Sequence, residues 1–111
     1  RVDALVVNND AVFQSHDKQL IALAARHNLP VMYATRRFTE KGGLISYGTF
    51  AGQMIHQAGL YVGRILKGEK PADLPVIQPT KFELVVNVKT AKTLGLTIPE
   101  SFLVRADEVM E

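Results

Sequence analysis

The chain has 111 residues, 47% of them apolar and 22% charged, a balance that suits one globular domain and is too short for two ordinary ones. Its 13 basic and 11 acidic side chains leave a formal charge of +2, too small an excess to single out nucleic acid or an acidic membrane as partner. Without cysteine there is no disulfide or thiolate–metal chemistry to consider, and no apolar run approaches the ~20 residues that span a bilayer.

Arg1-Val2-Asp3 leads at once into the apolar run Ala4-Leu5-Val6-Val7, an opening expected of a fragment of something longer. The run itself predicts a strand buried on both faces of a parallel sheet. Asn8-Asn9-Asp10 ends it with residues that favour turns. A helix is expected from about Asp17 to His27, with Asp17 suited to the helix dipole and Leu20, Leu23, Ala24 and His27 on one stripe. Asn28 and Pro30 stop it. Val31-Met32-Tyr33-Ala34 reads as a second buried strand, Arg36 to Lys41 as a charged loop, and Gly42-Gly43 as the turn into a third strand, Leu44-Ile45-Ser46-Tyr47. Strand, helix, strand in this order implies a right-handed parallel crossover. No helix is evident between the second and third strands.

The longest helix is expected from about Phe50 to Lys67, with Met54, Ala58, Tyr61 and Ile65 on a wide apolar face that needs a cover. Gly59 and Gly63 lie four apart on it, and Lys67-Gly68 ends it. Pro71, Pro75 and Pro79 mark an extended connector. Phe82 to Val88 reads as a strand. Asn87 caps a short helix that Gly95 ends, and Pro99 opens another in the tail.

Catalytic signatures are missing. In Gly43-Leu44-Ile45-Ser46-Tyr47-Gly48 a leucine stands where a nucleophile elbow needs glycine, and no phosphate-cradling glycine loop occurs. His16, His27 and His56 lack metal-ligand spacing. No cofactor and no metal are expected, and the chain does not read as an enzyme. What remains is positional, because ligands of an open parallel sheet sit beyond the carboxyl ends of its strands. The three tips there supply Asn9 and Asp10, then Arg36 beside Arg37, then Tyr47. A carboxylate can hold an ammonium group and an arginine fork a carboxylate, so the set suits a small polar or zwitterionic solute. Each residue also has a structural role open to it: Asp10 in closing a turn, the arginines as solvated loop charges, Tyr47 in core packing.

The stretch from Lys67-Gly68-Glu69-Lys70-Pro71-Ala72-Asp73-Leu74-Pro75-Val76 through Gln78-Pro79-Thr80-Lys81-Phe82-Glu83-Leu84-Val85-Val86-Asn87 to Pro99 resembles the C-terminal portion of bacterial ABC-transporter substrate-binding proteins, relatives of the tryptophan-binding receptors. Gly42-Gly43-Leu44-Ile45-Ser46-Tyr47-Gly48 fits the same family, and the resemblance extends over essentially the whole chain. It implies an α/β fold, the parallel-sheet lobe of a type 1 periplasmic binding protein with a crossover helix and a hinge strand. Residues 1–48 are then the strands and helix of the C-terminal lobe, and 49–111 the crossover helix, hinge strand and tail. It also implies capture of a small-molecule solute, an amino acid or aromatic acid among the candidates, between two lobes and its delivery to an ABC permease. The location implied is periplasmic or extracellular, with the protein lipid-anchored or soluble. By position, Asn9, Asp10 and Tyr47 are carried over as ligand contacts, while Thr35-Arg36-Arg37 departs from the relatives and puts aromatic amino-acid specificity in question. With its N-terminal lobe absent, such a fragment is expected to pair as a homodimer through helix 50–67. Two other readings are a flavodoxin-like cofactor or enzyme domain and the ligand-sensing domain of a transcriptional regulator.

Overall fold

A computed structural model describes all of residues 1–111 and divides them into two compact units, one of residues 1–48 and 83–111, the other of residues 49–82. The first is built on a five-stranded sheet with its strands in chain order: β1 (Leu5–Val7), β2 (Val31–Tyr33), β3 (Ile45–Thr49), β4 (Phe82–Asn87) and β5 (Glu108–Met110). β1, β2 and β3 are mutually parallel, with Val7 opposite Tyr33 and Tyr33 opposite Ser46. β4 and β5 are parallel to each other. At the junction, the last residue of β4 meets the foot of β3: Asn87 N–H donates to the Leu44 carbonyl at 2.8 Å. Residues 83–111, which the sequence grouped with helix 50–67, thus return to the first unit.

Two crossovers connect the parallel strands. The first holds α1 (Ala11–Ser15) and α2 (Asp17–Arg26), the second α3 (Arg36–Glu40). The expected charged loop at 36–41 is therefore corrected to a helix. Its five residues are too few to be stable alone; Phe38, buried and stacked on Tyr33 at a centroid distance of 4.5 Å, ties it to the sheet. Val7, Val31, Tyr33 and Phe38 form a core against which Leu20, Ile21, Ala24 and Leu29 of the α2 segment pack. Burial pushes the Tyr33 phenol above its ordinary pKa. Of the stripe read in the sequence, Leu20 and Ala24 pack on this core, whereas Leu23 and His27 stay exposed. Val85, Val86 and Ala91 extend the core toward α5 (Val88–Thr93), which Asn87 caps by accepting from Thr90 N–H at 3.0 Å. α6 (Glu100–Leu103) then leads into β5.

β1 departs from expectation. Leu5 and Val6 are 44% and 60% exposed, because β1 is the outermost strand of this sheet and only Val7 reaches the core. The other departure is a charge inside. Asp17, at the start of α2, is buried, and its Oδ2 accepts from Lys41 Nζ at 2.6 Å and from Arg37 Nε at 2.7 Å. Lys41 first and Arg37 second lower its pKa from the ordinary 3.8 to about 2.

The second unit carries α4 (Ala51–Leu66) and a single 3-10 turn, Pro71–Asp73. No residue of α4 is buried. Tyr61 donates its hydroxyl to the Pro75 carbonyl, Arg64 pairs with Glu69, and Lys81 Nζ lies 4.8 Å above the Phe50 ring.

This packing sets expectations for three variants. A Cβ built on Gly48 would stand 2.0 Å from the Ala34 carbonyl oxygen, whereas one on Gly59 meets nothing within 4 Å. Gly48→Ala should therefore lower stability by about 1–3 kcal/mol, and Gly59→Ala should raise the helicity of α4 by a gain of up to ~1 kcal/mol. Urea unfolding followed by circular dichroism reads both. For Asp17, a folded-state pKa below the unfolded one means stabilisation that is complete above pH 4 and is lost as pH falls through about 2. The melting temperature of Asp17→Asn should accordingly vary less than that of the parent over this interval.

Candidate functional site

Parallel pairing of adjacent strands sets the carboxyl ends of β1, β2 and β3 along one sheet edge. All four residues singled out in the sequence lie just beyond or within those ends.

After β1, Asn8, Asn9 and Asp10 are exposed. Asp10 has an extended backbone and caps α1, its Oδ1 accepting from Val12 N–H at 2.8 Å. That satisfies one orphan donor of the helix and engages one carboxylate oxygen; Oδ2 makes no hydrogen bond within the chain. Asn9 is held by its neighbour, Oδ1 accepting from Gln14 Nε2, which leaves its amide donor for other work. Asp10 thus starts a helix where the sequence suggested a turn, with one carboxylate oxygen spent on the cap.

After β2 the chain enters α3 through Thr35, and Arg36 is committed inside the protein. Its Nε donates to Glu40 at 2.7 Å, Nη1 to Glu83 at 3.0 Å and Nη2 to Glu108 at 2.6 Å. Glu40 and Glu108 hold the guanidinium above even its usual high pKa. An arginine fork open to a solute carboxylate was expected here. The structure instead spends all three nitrogens on protein carboxylates, Nε within α3 and the two terminal nitrogens tying α3 to the start of β4 and of β5. Arg37, beside it, is bound only through Nε, to Asp17.

At the end of β3, Tyr47 is 51% exposed. It is followed by Gly48, which lies against the Ala34 carbonyl so closely that no side chain fits. The tips of β2 and β3 therefore approach each other backbone to backbone, and a phenol ring stands beside them. Sequence reasoning missed Glu83 and Glu108, which lie 47 and 72 positions from Arg36. Only the strand order could have revealed them, as no local pattern links acids so distant to a helix start.

The hub also sets a measurable hierarchy. Glu83 is the most enclosed of the three carboxylates, its side chain 15% exposed against 48% for Glu40. Arg36→Met should cost about 1–3 kcal/mol by leaving Glu83 unpaired, with part of that loss screened at high salt. Glu40→Gln, removing a surface pair one helical turn away, should cost only about 0.5 kcal/mol. Equal losses for the two variants in urea titrations would contradict the hub.

The comparisons with known proteins agree with this architecture. The family model described as ABC transporter substrate binding protein matches residues 1–110. A crystal structure of a conserved domain protein from Vibrio cholerae is 33% identical, with a TM-score of 0.91 over 96% of this chain and 36% of its own. An ABC domain from Streptococcus pneumonia, solved in complex with L-Trp, is also 33% identical, with a TM-score of 0.92 over 99% of this chain and 37% of its own. The ligand-free, open structure of a substrate-binding protein with adhesive properties from Clostridium difficile is 27% identical, with a TM-score of 0.65 over 98% of this chain and 36% of its own. No curated protein matches the chain. The chain spans little more than a third of the length of those structures, and within that span the sheet order, the strand-end geometry and the family match lead to one assignment: it belongs to the ABC transporter substrate-binding protein family.

Proposed function

We propose that this chain forms one wall of the solute-binding cleft of an ABC importer's receptor, with the opposite wall supplied by chain beyond these residues. The observation that carries the reading is the single sheet edge shared by the carboxyl ends of β1, β2 and β3, along which Asn9, Asp10 and Tyr47 are exposed. In this reading Asp10 Oδ2 holds an ammonium group, Asn9 Nδ2 donates to a carboxylate or hydroxyl, and the Tyr47 ring covers an apolar part of the solute. Arg36 acts as a positioning residue, fixing α3 to the start of β4 through Glu83 and to the start of β5 through Glu108. The relative bound to L-Trp supports an amino acid as the solute class.

In such a receptor ligand touches both walls only when they close, so binding shifts an open–closed equilibrium by its differential affinity. The chain leaves the first unit after Gly48 and re-enters it at Glu83, and these two passages are where a hinge rotation is absorbed. The closed form is the one a membrane permease accepts, which places the protein at the outer face of a cytoplasmic membrane, anchored or free. No step in this cycle requires bond chemistry from the chain.

A lone wall binds weakly, with a dissociation constant on the order of 1 mM. Titrating the labelled chain with L-tryptophan and other amino acids should move the amide resonances of residues 8–10 and 47–49. Asp10→Asn, which keeps the helix cap and removes the charge, should abolish those shifts. Shifts that survive in Asp10→Asn would reduce Asp10 to its capping role. A second expectation concerns assembly. Ile55, Val62 and Leu66 of α4 are 72%, 55% and 82% exposed, and an apolar face of that kind is usually covered by association. Sedimentation at micromolar concentration should show a homodimer, and Ile55→Lys with Leu66→Lys should return it to monomer.

A further inference from the structure

A second polar surface of the first unit is lined by residues other than Asn9, Asp10, Arg36 and Tyr47. Ser15, His16 and Lys18 at the α1–α2 junction, with Arg37 and Lys41 of the α3 segment, line an open groove floored by the buried Asp17. Two cations, Arg37 and Lys41, pair with that one carboxylate, and Lys18 lines the same groove. Both Arg37 and Lys41 reach the same oxygen, Oδ2, of that carboxylate. Arg37 does so through Nε alone, and its side chain is 52% exposed. Its two terminal nitrogens make no hydrogen bond within the chain. The contrast with Arg36 is direct, since that guanidinium spends every nitrogen on protein carboxylates.

A guanidinium gripped at Nε by a buried acid has its plane fixed and its outer fork presented, the geometry that a carboxylate meets with two parallel hydrogen bonds. Lys41 is likewise anchored, and Lys18 adds a third positive charge on the same rim. The rotamer entropy that ordinarily weakens surface ion pairs is already spent here in the free protein. We propose that this groove is a docking surface for an acidic segment of a partner protein, in which one carboxylate is read by the Arg37 fork and its neighbours by Lys41 and Lys18. Asp17 is the positioning residue. The assignment is independent of the strand-tip reading and concerns different residues.

The test uses the whole chain, isotopically labelled, titrated at low salt with a hexaglutamate peptide blocked at both ends. The amides of residues 15–19, 37 and 41 should shift saturably, while those of 8–10 and 47–49 stay in place. Arg37→Lys keeps the charge and loses the fork, and should weaken binding about tenfold. Asp17→Asn makes the groove more positive by one charge yet should also weaken binding, because the fork is released. Unchanged affinity in Arg37→Lys, or tighter binding in a folded Asp17→Asn, would show attraction by diffuse charge alone and overturn the proposal. If Asp17→Asn unfolds, the Arg37→Lys result decides. Acetate saturating the same amides as tightly as the peptide, or phosphatidylglycerol vesicles binding more tightly than it does, would equally overturn it.

Discussion

Parallel pairing of β1, β2 and β3 is the constraint from which everything functional in this chain follows. A parallel pair cannot be joined by a tight turn; the chain must leave at one edge of the sheet and travel back to the other. Each strand therefore releases its polar exit residues at the same edge, whatever the sequence of the connection. The tight seat of Gly48 against the Ala34 carbonyl draws the β2 and β3 exits together as backbone, where a larger residue would force them apart. The core beneath runs from Val7 through Val31 and Tyr33 to Phe38.

Charge is used in two contrasting ways around this edge. Arg36 collects three carboxylates from α3, β4 and β5, so the long returning segment is fastened where it re-enters the sheet. Asp17 is the inverse arrangement, one buried carboxylate collecting two cations. Burying a charge is costly unless it is paired and hydrogen-bonded. Here the pairing orients side chains of α3 at both of its ends. The short helix has little intrinsic stability, and these ionic ties together with Phe38 hold it in place.

How much of this was legible depended on whether the determinants were local. β2, β3, α2, α4, β4 and α5 announced themselves through apolar runs, a helical stripe, and Asn87 as a cap. α1 was hidden because its only marker, Asp10, looks the same in a turn and at a helix start. Arg36-Arg37-Phe38-Thr39-Glu40 reads as a solvated loop because its helix is stabilised by Tyr33, Glu83 and Glu108, none of them nearby in sequence. β5, three residues ending in Met110, is defined by pairing with β4 rather than by its own pattern. At the candidate site, Asn9, Asp10 and Tyr47 were found because position on a parallel sheet predicts them. The distinct partners of Arg36 and Arg37 were not, since adjacent arginines in a sequence carry no sign of which one the fold will occupy.

The most direct measurement is a crystal structure of the longer protein that contains this chain, grown with an amino acid it binds. The account predicts that the solute lies against Asn9, Asp10 and Tyr47, with Arg36 still joined to Glu83 and Glu108. A solute bound away from the carboxyl ends of β1, β2 and β3 would contradict it.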